Sequence, residues 1–175
     1  KLNLDKAGIN LDNNGFIPVN DKPVIEHIIE KFTSFGIKKF YITTNYKSLI
    51  LKSFFKELQP NYSVKFFDEI KPLGTVGGIK HHKKNFKVPF FVTNCDIIID
   101  SDYGDIYNFH KINKNDITLV ASTKDFEIPY GICKLDKRGK LLHIKEKPKQ
   151  NFLANTGLYV LNPAVLNLIP KNEFF

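Results

Sequence analysis

Apolar residues recur along the first half of the chain in alternating helical and strand registers. Val24, Ile25, Ile28, Ile29 and Phe32 return at helical spacing behind Asp21 and Pro23, and Gly36 closes the run. An aspartate suited to capping and a proline suited to a first turn predict a helix there. Residues 39–43 (Lys-Phe-Tyr-Ile-Thr) read as a strand, 47–58 as a second helix stopped by Pro60, and 64–67 as another strand. A glycine-rich loop at 73–78 leads into a short helix ending near Lys84. Phe90, Phe91 and Val92 are too few for a helix and are strand formers, which predicts a buried parallel strand ending in Thr93, Asn94, Cys95 and Asp96. The first twenty residues hold turn formers such as Asn3, Asp5, Gly8, Asp12 and Gly15, with no apolar period.

Beyond residue 100 the pattern changes. A helix near 102–111 is followed by strands at 117–122, 131–135, 141–145 and 153–161, with Lys137-Arg138-Gly139 as a hairpin turn. Alternating helices and strands predict a Rossmann-like α/β fold, a mostly parallel central sheet with helices on both faces. The strand-rich second half adds an antiparallel flank. With 175 residues and no linker or repeat, 1–175 reads as a single domain.

Composition narrows the function classes. Hydrophobic residues at 42% and charged ones at 25% describe an ordinary soluble protein, and no apolar run approaches a membrane span or a signal-peptide core. A cytoplasmic protein is expected. Cys95 and Cys133 are too few and too scattered for a disulfide framework or a zinc site and read as small buried hydrophobes. The net charge is +8, but Arg138 is the sole arginine and the lysines are spread along the chain. The charge suits nucleic acid, an acidic membrane or a polyanionic small substrate; a single arginine and scattered lysines make nucleic acid the minority reading, and no nucleic-acid or membrane partner is expected. The compact group His81, His82, Lys83 and Lys84 reads as a solvated helix end.

Four stretches carry candidate chemistry. Asp96 stands at the carboxyl end of a strand, where open α/β sheets bind ligands and a carboxylate suits a hard cation, although an aspartate there also caps turns. Leu73-Gly74-Thr75-Val76-Gly77-Gly78 joins a strand to a helix and reads either as a tight turn or as backbone that approaches an anion closely. Glu146-Lys147-Pro148 sets an anion beside a cation, either as an exposed ion pair or as ligands for a sugar hydroxyl and a phosphate. Asn155-Thr156-Gly157 interrupts a strand with two hydrogen-bonding residues and a glycine.

In this order, the stretches resemble the sugar-phosphate nucleotidyltransferases, the nucleotide-sugar pyrophosphorylases. The resemblance rests on residues 17–29 (Ile-Pro-Val-Asn-Asp-Lys-Pro-Val-Ile-Glu-His-Ile-Ile), 72–78, 93–96, Pro129-Tyr130-Gly131, 146–148 and 154–159, and covers about 16–175. Its closest flavour is the bacterial mannose-1-phosphate guanylyltransferase-like branch. It implies transfer of a nucleotidyl group from a nucleoside triphosphate to a sugar 1-phosphate, releasing pyrophosphate. By resemblance Asp96 holds Mg²⁺, Leu73, Gly74 and Thr75 line the base, Gly131, Glu146, Asn155 and Thr156 bind the sugar phosphate, and Lys147 takes its phosphate. Glu69 falls where the family reads the base edge. A carboxylate only accepts hydrogen bonds and so suits the adjacent N–H donors of guanine, favouring GTP over UTP or dTTP.

Two departures set further expectations. The family's glycine-rich first-strand signature and its Lys-Pro pair have no counterpart in residues 4–15, and its second metal-binding aspartate would lie beyond Phe175. A domain incomplete at both ends is expected, with no turnover by the chain alone and an open edge beside 89–93 that residues 1–15, a second copy of the chain in a homo-oligomer, or flanking chain would fill. The alternative function is an inactive relative that binds nucleotide or sugar phosphate or serves in assembly.

Overall fold

The computed structural model describes residues 18–19, 22–58, 60–74 and 76–170. Pro18–Val19 (β1) and Lys22–Pro23 (β2) pair antiparallel just ahead of the first helix. The spacing of Ile28, Ile29 and Phe32 closes into α1 (Val24–Ser34), which buries all three. Pro23 stands at its N-cap and not in its first turn, with φ −58° and ψ 143° and no side-chain cap. The ring fixes only φ, so the extended ψ keeps it outside the helix. Asp21, the expected cap, lies outside the described residues. At the other end Gly36 takes φ +83°. Its N–H donates to Thr33 O at 2.9 Å and that of Ile37 to Phe32 O at 3.2 Å, satisfying carbonyls the helix leaves free.

Parallel strands need a crossover, and α2 (Ser48–Leu58) supplies it between β3 (Lys39–Thr44) and β4 (Ser63–Asp68), which pair parallel from Lys39↔Ser63 to Thr44↔Asp68. Two more elements complete the aromatic centre, β5 (Phe90–Thr93) and α3 (Tyr103–Ile112). The ring of Phe32 lies 6.4 Å from Phe40, 5.3 Å from Phe91 and 4.6 Å from Tyr103, so one side chain joins α1, β3, β5 and α3. α3 is capped by Asp102, whose carboxylate accepts from Asp105 N–H at 2.9 Å.

The architecture is α/β, as the alternation predicts, with one correction. β5 pairs antiparallel with β9 (Lys149–Leu161), from Phe90↔Leu161 to Thr93↔Leu158. The apolar run shows that the strand is covered on its faces; it carries no information on the direction of a neighbour more than sixty residues away. β9 lies between β5 and β6 (Ile117–Glu127). It is also longer than expected and runs through Asn155, Thr156 and Gly157 without a break.

The described chain packs as two units, one made of residues up to Thr118 together with Gly157 onward, the other of Leu119–Thr156. In the second unit β7 (Ile132–Leu135) and β8 (Leu141–Lys145) form the expected hairpin. Asp136 Oδ1 shapes its turn, accepting from Arg138 N–H at 2.8 Å and Lys140 N–H at 2.9 Å. Cys133 lies on β7 and is exposed, as is Cys95, so neither cysteine is the buried hydrophobe its residue type suggested. Their positions on a hairpin and in a loop outweigh the general preference of cysteine for the interior. Among the described residues no helix is long and apolar enough to cross a membrane.

Candidate active site

Within the first unit the end of β5 is seated on β9. Asn94 N–H donates to Gly157 O at 3.3 Å. Gly157 has φ +76°, and a Cβ there would lie 2.8 Å from Asn94 Nδ2 and 3.0 Å from Ile97 Cδ1. Only glycine fits both the backbone angle and the space. That close approach anchors the turn carrying Asp96, which is exposed and in no ion pair among the described residues. Although residue 95 as a whole is exposed, partial desolvation of its sulfur, and then the neighbouring Asp96 carboxylate, push the Cys95 thiol above its usual value. Among the described residues no three His, Cys, Asp or Glu side chains gather to cage a metal. A single exposed carboxylate fits a Mg²⁺ that brings its remaining ligands as water and substrate oxygens.

The glycine-rich loop is organised from inside by Glu69. The backbone of Glu69 is held twice, its N–H donating to Thr44 O at 2.7 Å and its carbonyl accepting from Asn45 Nδ2 at 2.7 Å. Its Oε2 accepts from Leu73 N–H at 3.3 Å, and Leu73 itself is buried. Oε1 is buried without a hydrogen-bond partner among the described residues, against Gly78, where a Cβ would lie 2.0 Å away. A buried acceptor left unpaired costs about 1–3 kcal/mol, which a donor on a ligand would offset. Gly74 follows Leu73 with φ +79°, and Thr75 lies outside the described residues.

The segment after this loop, Gly77–Asn85, is a 3-10 helix kinked at His82. It is more than a solvated end. The His82 ring stacks on Phe67 with centroids 3.4 Å apart and an interplanar angle of 10°, and burial, then His81, pull its pKa below the usual histidine value. Lys83 Nζ donates to Asn167 Oδ1 at 3.2 Å, and Lys80 Nζ donates to the carbonyl of Ile169. Both lysines thus engage the chain around the 3-10 turn Pro163–Asn167.

In the second unit Gly131, Glu146 and Lys147 come together. A Cβ on Gly131 would lie 2.9 Å from Glu146 Oε2, so the glycine leaves room for that carboxylate. Lys147 follows with φ +40°. Both Glu146 and Lys147 are exposed, and among the described residues they form no ion pair, with each other or otherwise. Asn155 and Thr156 lie on β9 in the same unit, and Thr156 Oγ1 donates to Val120 O at 2.7 Å. Sequence reasoning quoted Asn94 and Gly78 within their motifs without giving either a separate role, and it passed over Ile97, whose closeness to Gly157 no local pattern signals. A groove of 420 Å³ lined by Glu26, Glu30, Leu58 and Tyr62, among others, contains none of the candidate residues.

Comparison with known proteins agrees with the motif order. The family model for nucleotidyl transferase matches residues 13–173. A D-glycero-alpha-D-manno-heptose 1-phosphate guanylyltransferase from Campylobacter jejuni is 32% identical over 160 residues, covering 90% of this chain and 70% of the relative. A mannose-1-phosphate guanyltransferase from Yarrowia lipolytica is 32% identical over 163 residues, covering 87% of this chain but 44% of its own length. The chain thus spans less than half of that relative. HddC from Yersinia pseudotuberculosis shares the fold, with a TM-score of 0.69 at 24% identity, covering 92% of this chain and 72% of that one. A second HddC structure, complexed with GMP-PN, aligns with a TM-score of 0.69 at 23% identity, over 95% of this chain and 77% of that one.

Proposed function

The chain belongs to the nucleotidyl transferase family, and from that premise we propose that the protein transfers a guanylyl group from GTP to a sugar 1-phosphate, releasing pyrophosphate. The observation that carries the reading is the turn at Glu146 and Lys147, a carboxylate and an ammonium side by side, both exposed and neither in an ion pair among the described residues. Such a pair matches a sugar 1-phosphate, hydroxyls for the carboxylate and phosphate for the ammonium. Guanine is favoured because its adjacent N1–H and N2–H₂ donors suit a carboxylate, and Glu69 Oε1 is a buried acceptor with no partner among the described residues. Two relatives of about one-third identity are named guanylyltransferases.

The chemistry asks little of the protein beyond alignment. A phosphate oxygen of the sugar 1-phosphate is already an oxyanion; it attacks the α-phosphorus of GTP, one P–O bond forms, the bond to the β-phosphate bridge breaks, and pyrophosphate leaves with the electron pair. No proton has to be removed, so no general base is required. Lys147 would neutralise the attacking phosphate and Glu146 would orient the ring through its hydroxyls. Mg²⁺, held through Asp96 and substrate oxygens, would supply charge neutralisation on the triphosphate.

The test is thermal unfolding with Mg²⁺ and each of GTP, UTP and dTTP, followed by titration with mannose 1-phosphate. Stabilisation by GTP above the other two, and further stabilisation by the sugar phosphate, is the expected result. Equal response to all three nucleotides would remove the guanine preference, and no response to sugar phosphate would remove the transferase reading in favour of an inactive relative.

A further inference from the structure

Among the described residues three that are not glycine have positive φ: Lys47 at 57°, Lys114 at 52° and Lys147 at 40°. Lys114 closes α3 as a glycine commonly does, its N–H donating to Lys111 O and that of Asn115 to His110 O. Lys47 leads into α2, with its carbonyl accepting from Ile50 N–H at 3.1 Å. Lys147 has no helix end to account for it. It lies between β8 and β9 and precedes Pro148, whose ring crowds the backbone of the residue before it. A left-handed lysine in that place persists only where its surroundings over-determine it.

The surroundings do so on both sides. Downstream, Pro148 is buried and its carbonyl accepts from Ile128 N–H at 3.1 Å. The neighbours of that contact, Lys149 and Glu127, pair at 3.6 Å. Upstream, the Glu146 carboxylate occupies the space that Gly131 leaves empty. Fixed at both flanks, Lys147 is itself exposed and forms no ion pair among the described residues.

We infer that Pro148, its ring buried and its carbonyl held by Ile128 N–H, is a positioning residue whose ring keeps Lys147 in its strained backbone conformation so that Lys147 and Glu146 serve one sugar phosphate. In an extended strand consecutive side chains point to opposite faces, and one small ligand does not meet both. A left-handed residue breaks that alternation. The inference rests on the proposed function, which it deepens by naming what holds the phosphate ligand in place.

The experiment compares wild type, Pro148→Ala, Lys147→Ala and Lys147→Gly by thermal unfolding and by calorimetric titration with mannose 1-phosphate and with GTP and Mg²⁺. Glycine adopts this φ without strain while alanine does not, so Lys147→Gly should unfold about 2–4 °C above Lys147→Ala. Pro148→Ala should bind mannose 1-phosphate about tenfold more weakly with Lys147 still present, and bind GTP as wild type does, a split that a general loss of stability would not give. Where Pro148→Ala does not fold, the glycine and alanine pair decides. Equal unfolding temperatures for that pair, or unchanged mannose 1-phosphate binding by Pro148→Ala, would overturn the inference and leave the proposed function standing. A wild type that binds GTP but no sugar 1-phosphate would overturn both.

Discussion

The Glu69 carboxylate occupies the space that a side chain on residue 78 would fill, Oε1 lying 2.0 Å from where a Cβ on Gly78 would be. Oε2 of the same group reaches the N–H of Leu73. One acidic side chain thus spans the glycine-rich loop from its first residue to the start of the helix behind it.

Gly78→Ala should therefore act through Glu69 and little through the backbone. The atom it meets is the far end of a flexible chain, which can swing out, so the unfolding temperature should move by only a few degrees, equivalent to about 1 kcal/mol. Nucleotide discrimination should change more. Loss of the placed carboxylate should cut the preference for GTP over UTP by about tenfold, as should Glu69→Gln, which replaces one acceptor with a donor. Competition titrations of the two nucleotides check both variants, and an unaltered ratio in Glu69→Gln would dismiss Glu69 as the reader of the base.

Gly157→Ala meets a harder obstacle. Its φ of +76° and the Asn94 amide 2.8 Å from the added carbon both oppose the substitution. A loss of about 2 kcal/mol is expected, seen as a fall of several degrees in unfolding temperature. The displaced Asn94 should carry Asp96 with it, so nucleotide binding in Mg²⁺ should weaken as well. A variant as stable as wild type would mean that the turn after β5 is not seated on β9 as described.

Asp96→Asn separates charge from packing. The residue is exposed and outside any ion pair among the described residues, so the unfolding temperature without ligand should not change. In Mg²⁺, where the ion loses its protein carboxylate, GTP should bind about tenfold more weakly. Calorimetric titration showing GTP bound as tightly as by wild type would assign the metal elsewhere.

His82 predicts a pH dependence. Burial against Phe67, with His81 adding to it, holds its pKa below 6.5 in the folded protein. The unfolded chain then binds the proton first as pH falls, so this contribution to stability is present above about pH 6.5 and is lost on acidification through the folded pKa. His82→Phe keeps a flat ring on Phe67 and does not titrate. Its unfolding temperature should fall less than that of wild type between pH 7.5 and 5.5, and parallel curves would exclude His82 as a source of the effect.

What the sequence by itself determined is local. The period of Ile28, Ile29 and Phe32, the glycine at 36, the helix pattern near 102–111 and the turn at Lys137-Arg138-Gly139 each act over a few residues, and the elements they predict lie within a residue or so of their places. The motif order also identified the family, because it is a property of the chain and needs no coordinates. Only the tertiary structure decided the antiparallel partner of β5, the contact of Asn94 with Gly157 and that of Glu69 with Gly78. The exposure of both cysteines and the strain at Lys147 belong with these. The physical reason is shared. A strand's apolar run specifies that its faces are covered but not by which neighbour, and a glycine specifies room but not what fills it. Those answers depend on which distant residues the folded chain brings alongside.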